Sequence, residues 1–106
     1  MIKLLTNNIE KLFELSEFEL DEIDGDAVIF LPKEGKILAL NGTASFIWNK
    51  LVASQRETIE LSVDTLASEV MLHYNCDEDS FDSIADDVTE TIGLLVDSRA
   101  LILQDV

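Results

Sequence analysis

The chain has 106 residues, 47% of them apolar, and its 22 Asp and Glu against 7 Lys and Arg give a formal charge of −15 at pH 7. That length holds one domain with one core and hardly two. The charge speaks against nucleic acid, whose phosphates are neutralised by Lys and Arg, and from Glu57 through Ser98 the chain has neither. It suits a basic or neutral partner, whose encounter it would speed. One cysteine, Cys76, rules out an internal disulfide and fits a reducing compartment. No apolar run approaches the roughly 18 residues of a membrane helix. The run Ile2-Lys3-Leu4-Leu5 stops at Thr6-Asn7-Asn8, too soon for a signal peptide. A cytoplasmic protein is therefore expected.

Residues 1–16 are expected as an N-terminal arm or a short helix, with Ile9, Leu12 and Phe13 as its apolar side, and residues 17–106 as the domain proper. Phe18 and Leu20 alternate with acids, which predicts a strand with one wet face. Asp24-Gly25-Asp26 is a turn, because Gly accepts positive φ and Asp tolerates it. Ala27 to Leu31 is a second strand, ended by Pro32, which has no amide for a ladder. After the polar turn Lys33-Glu34-Gly35-Lys36, Ile37-Leu38-Ala39-Leu40 makes a third. Two tight turns join the three into a meander over about residues 17–41.

Three helices are expected next, at about 43–52, 63–74 and 80–96. Asn41 caps the first, whose buried stripe is Ala44, Ile47, Trp48 and Leu51. A polar linker spans Ala53 to Leu61. Ser62 caps the second helix, with Leu66, Ala67, Val70, Met71 and Tyr74 on its apolar face. Phe81, Ile84, Val88, Ile92 and Leu95 recur at helical spacing in the third, and Asp77, Glu78 and Asp79 sit where a helix N-terminus favours negative charge. Ala100 to Leu103 forms a short extended tail. The fold class is α+β.

Catalytic chemistry finds little footing. His73 and Cys76 are the only residues of their kinds, three apart at a helix end; a nucleophilic pair is conceivable there, but a surface histidine and a partly buried cysteine explain them better. As a zinc site the pair is two ligands short. The acids from Asn75 to Asp82 fit no EF-hand register, since neither start puts Gly sixth and Glu twelfth. Asp86 and Asp87 are helix neighbours that do not face each other. Gly25, Gly35, Gly42 and Gly93 stand apart and make no phosphate loop. Gly93 inside a helix reads as close packing, a tolerated cost or room for a ligand backbone. No metal, cofactor or enzymatic activity is expected.

The run Leu40-Asn41-Gly42-Thr43-Ala44-Ser45-Phe46-Ile47-Trp48-Asn49-Lys50-Leu51 resembles the strand-to-helix motif of PqqD-like proteins. The strands from Gly25 to Phe30 and Gly35 to Asn41, the second helix from Ser62 to Ala67 with Tyr74, and Asp87-Val88 with Ile92 and Leu95 are similar to the family's other segments, in order, over about Phe18 to Leu103. The family's Gly-Leu pair after the third helix is replaced by Ser98-Arg99-Ala100-Leu101. The aromatic of its third strand is replaced by Leu38 or Ala39. The resemblance implies a winged-helix-like module, without catalysis, that recognises ribosomally made precursor peptides. The leader would add as a strand to the exposed third strand, beside the third helix, and a separate radical SAM enzyme or leader peptidase would act on the core.

Carried onto this chain, the peptide-binding residues implied are Lys36, Ile37, Leu38, Ala39 and Leu40 on the strand. On the third helix they are Asp87, Thr91, Leu94 and Leu95, with Val88 behind; Asp87 and Glu90 would meet Lys or Arg of the leader. The strand carries no blunting proline, and alternation turns two of its apolar side chains off the core face. A homodimer could cover that edge equally well. The alternative reading is a winged-helix regulator or adaptor that binds another protein, with DNA disfavoured by the charge. A small enzyme built on His73 and Cys76 is the third.

Overall fold

The structure, a computed structural model, describes residues 2–6 and 9–105; Met1, Asn7, Asn8 and Val106, at the margins of segments discussed above, lie outside the described residues. Among the described residues seven strands form two sheets, one antiparallel and one mixed, that pack with three helices. The first strands are β1 (Ile2–Thr6), β2 (Ile9–Leu15), β3 (Glu19–Ile23), β4 (Asp26–Leu31) and β5 (Lys36–Ala39). Then come α1 (Gly42–Glu57), the short β6 (Leu61–Ser62), α2 (Val63–Tyr74), one 3-10 turn at Glu78–Ser80, α3 (Phe81–Asp97) and β7 (Leu101–Asp105). One sheet has the order β3-β4-β5 and the other β6-β1-β2-β7. The α+β class, the three-stranded antiparallel sheet and the three helices stand as expected.

The N-terminal segment is neither a loose arm nor a helix. β1 pairs antiparallel with β2, β2 with β7, and β1 runs parallel to β6. Ile2, Leu4, Phe13 and Leu15 alternate into the core, and Leu4 and Phe13 are fully buried. The period is two, as in a strand. The helical reading of Ile9, Leu12 and Phe13 fails because Ile9 is exposed. Leu101, read as part of a tail, pairs with Leu15 and is buried.

α1 also runs further than expected, to Glu57, so the polar linker begins at Thr58 rather than Ala53. The polar residues of its last turns are engaged. Buried Ser54 donates through Oγ to the carbonyl of Ile59, and Gln55 Oε1 accepts the amide of Leu15 at 2.8 Å. These bonds replace the apolar stripe that would have signalled helix. The two N-caps are as read: Asn41 Oδ1 accepts the amide of Ala44 at 2.9 Å, and Ser62 Oγ that of Thr65 at 2.9 Å.

The α3 terminus is capped at Arg99, within the Ser98-Arg99-Ala100-Leu101 segment. The amide of Ala100 reaches Leu95 O at 2.9 Å and that of Arg99 reaches Val96 O at 3.0 Å, with Arg99 left-handed at φ 65. This is a Schellman cap built on Arg where Gly would sit without strain. Tyr74, expected on the buried face of α2, is largely exposed, as is Cys76. Tyr74 packs its ring edge against Phe46 and His73 instead.

Candidate peptide-binding site

The β3–β4 hairpin fixes everything that follows. Its turn has Asp24 at φ 53 and Gly25 at φ 86, so both central residues are left-handed, as a two-residue type I′ turn requires. Register is then set across the sheet: Glu19, Phe30 and Ile37 form one row, Leu20, Ile29 and Leu38 the next, and Asp21, Val28 and Ala39 the third. Ala27, Ile29 and Leu31 face the core. Leu38, opposite Ile29, packs against it, while Ile37 and Ala39 point to solvent, Ile37 at 69% exposure.

The backbone of β5 follows the same alternation. Leu40 donates to Ala27 O at 2.9 Å. Antiparallel pairs alternate between bonded and non-bonded, so Leu38 and Lys36 also bond to β4. The N–H and C=O groups of Ile37 and Ala39 therefore point away from β4, along the free edge. Beyond the end of β5 the Ala27 amide would be left over, and Ser45 Oγ accepts it at 2.8 Å while donating to Leu40 O. Among the described residues no strand pairs with the outer side of β5; the N-terminal hairpin goes to β6 and β7 instead.

The opposite edge of this sheet is different. β3 is exposed throughout and carries Glu19, Asp21 and Glu22, the charged side chains by which an edge is protected from pairing. β5 carries one charge, Lys36, and no proline.

The helix residues divide into two groups. Val88 and Leu95 are fully buried and, with Leu40, belong to the hydrophobic core, so they can only back a site. Asp87 is exposed, Thr91 is half-buried with its hydroxyl donated to Asp87 O at 2.9 Å, and Leu94 is 51% exposed. The spacing of 87, 91 and 94 puts them along one flank of α3. A cleft of about 480 Å³ is lined by Glu34 of the β4–β5 turn, by Val96, Asp97 and Arg99 at the α3 terminus and by Leu101, Ile102 and Leu103 of β7. Glu34, Arg99 and Ile102 were not singled out in the sequence, because only the cap at Arg99 folds the chain back beneath that turn.

The ion pairs among the described residues are Lys11–Asp105 and Lys50–Glu69. The hydrogen bond from Lys11, and then its charge, hold the Asp105 carboxyl below the usual carboxylate range. Among the described residues Asp82, Asp86, Asp87, Glu90 and Asp97 of α3, all exposed, have no such partner, so this helix presents a carboxylate surface. Gly93 is not a close-packing site: a Cβ added there meets nothing within 4 Å. His73 lies with its ring 4.4 Å from that of Phe46, stacked, and Lys50 Nζ is 5.4 Å from the same ring. That aromatic cluster joins residues 27 positions apart, and periodicity does not reveal it. Among the described residues no group of three or more His, Cys, Asp or Glu could hold a metal ion, and no helix is long and apolar enough to cross a membrane.

Compared with known proteins, the chain matches the family model described as "Coenzyme PQQ synthesis protein D (PqqD)" over residues 26–101. That span runs from the start of β4 to the start of β7. No curated protein and no solved structure matches.

Proposed function

The chain belongs to the PqqD family, and from that premise we propose that it is a non-catalytic module that captures the leader of a ribosomally made precursor peptide and presents it to a separate maturation enzyme. The family's description places its members in coenzyme synthesis. The observation that carries the finer reading is the free edge of β5. Ile37 and Ala39 offer outward N–H and C=O groups on a strand without proline or bulge, and in the proposed complex the α3 flank with Asp87, Thr91 and Leu94 faces the guest from the other side. A leader pairing there gains affinity from main-chain bonds and selectivity from alternate side-chain positions. Lys36, Ile37, Leu38 and Ala39 line the guest on one side. Asp87, Thr91 and Leu94 line it on the other, and Leu40, Val88 and Leu95 hold the two walls in place. A radical SAM enzyme or a leader peptidase is the class of partner this implies.

The test is titration of the purified chain with the full precursor peptide it would serve and with the same peptide lacking its leader. Full-length peptide should bind at micromolar concentration, and the truncated form should not. Equal binding of both would remove the leader from the account.

A further inference from the structure

The outward face of the small sheet is as unusual as its edge. Its rows read Glu19, Phe30, Ile37 and Asp21, Val28, Ala39, and the Ile23–Asp26 pair closes the hairpin. The apolar members form a continuous stripe: Ile37 and Ile23, at 69% and 58% exposure, with Phe30 at 37% and Val28 half-buried between them. Scattered exposed apolar residues need no explanation, but a contiguous group rimmed by polar ones marks an interaction surface. The rim here has one sign. Glu19 and Asp21 border the stripe on β3 and Asp26 borders it on β4 beside the turn, and none has an ion-pair partner among the described residues.

We infer that this face docks a partner protein that presents two or three apolar side chains flanked by Lys or Arg. An apolar centre with a charged rim is the usual anatomy of a specific interface, and rim charges set encounter rate and partner choice. The face is also distinct from the edge. A guest strand bonds to β5 in the plane of the sheet, so the outward side chains stay available when the edge is filled. A guest strand extends the rows of Ile37 and Ala39 by one side chain each. A partner seated on this face would therefore touch the peptide and its carrier together, as hand-over to an enzyme requires. The inference rests on the reading of the chain as a peptide carrier and names the surface by which the carrier is held.

The test uses the whole chain with labelled methyl groups and, as probe, an 18-residue amphipathic helical peptide of leucine flanked by lysine. The control peptide has glutamate for every lysine. The lysine peptide should shift the methyl resonances of Ile23, Val28 and Ile37 and bind at least about tenfold more tightly than the glutamate peptide. The neutral changes Ile23→Thr and Val28→Thr, each made singly, should weaken the lysine peptide about tenfold. They should leave leader binding within about twofold. Ala39→Pro should do the reverse. If both Thr variants bind the lysine peptide unchanged, its attraction is only to net charge and the inference is overturned. The same follows if the shifts centre on the exposed Leu72 and its cleft. Loss of leader binding in Ala39→Pro, with the face silent, would sink this inference and leave the carrier reading standing.

Discussion

Proline at position 39 separates an edge that receives a strand from one that is merely exposed. The Ala39 amide points away from β4, because Leu40 and Leu38 take the bonded positions. Ala39→Pro therefore removes no ladder bond of the folded chain, and proline is accepted on edge strands of this kind. It does remove one of the donors a guest needs. Two outward residues with one N–H and one C=O each give at most four groups for pairing, and the variant leaves a guest carbonyl unpaired in a closed ladder. That costs about 1–3 kcal/mol, a loss of about 5- to 140-fold in affinity. Leu38→Pro is the contrast, since its amide faces Ile29 and its side chain packs against the core. Isothermal titration with the full precursor peptide and thermal melts of both variants read the two effects apart. Ala39→Pro should melt within a few degrees of the parent and bind weakly, and Leu38→Pro should lose stability. If Ala39→Pro unfolds as readily as Leu38→Pro, the register is wrong; if it folds and binds as the parent does, no strand adds at β5.

Arg99→Gly should stabilise the chain by about 1 kcal/mol, since Arg99 holds φ 65 in a cap where glycine has no Cβ to clash; chemical denaturation midpoints report it. Gly93→Ala should also stabilise by about 1 kcal/mol, because the added methyl meets open space inside a helix. Unchanged leader affinity in that variant would show that no guest backbone passes there. Lys11→Met should raise the Asp105 carboxyl toward its ordinary value, followed by carbon-detected titration. The sign is that of a depressed acid: the Lys11–Asp105 pair helps the fold above the unfolded carboxylate pKa and is lost as pH falls through the lower, folded one.

The local signals in the sequence were the strong ones. Asn41 and Ser62 were readable as caps because an oxygen one turn before an apolar stripe has one obvious use. The meander was readable from its turns, since Asp24-Gly25 admits few backbones. The second sheet was not readable. β2, with Phe13 and Leu15, is held on one side by β7, nearly ninety residues away, and β1, with Ile2 and Leu4, borders the distant β6, while the apolar Leu5 and Leu12 off the core face blur the alternation. At the candidate site, strand alternation revealed that Ile37 and Ala39 turn outward. Helical spacing likewise put Leu95 on the buried stripe of α3 and Leu94 off it, as found, yet the residues implied for the peptide site included the fully buried Leu95. Neither pattern could reveal which amides of β5 are free, because that parity is set by the first bond of the ladder.

An unblunted edge is a hazard as well as a site, because two copies can pair through it. Charge guards against this. With extents of 40 × 37 × 24 Å, two copies meet at a centre separation of about 30 Å. At that distance charges of −15 repel in water by about 30 kcal/mol without screening. A Debye length of about 10 Å at 0.1 M salt reduces this to about 1.5 kcal/mol, and one of about 3 Å at 1 M leaves almost nothing. Four residues of edge pairing do not overcome the first of these barriers but face no barrier in the last. Sedimentation velocity in 0.01, 0.1 and 1 M sodium chloride should therefore show self-association that rises with salt and disappears in Ala39→Pro. A dimer fraction that is greatest at low salt, or that ignores the proline, would mean that the copies meet through another surface and that the charge has no part in keeping β5 open for a guest.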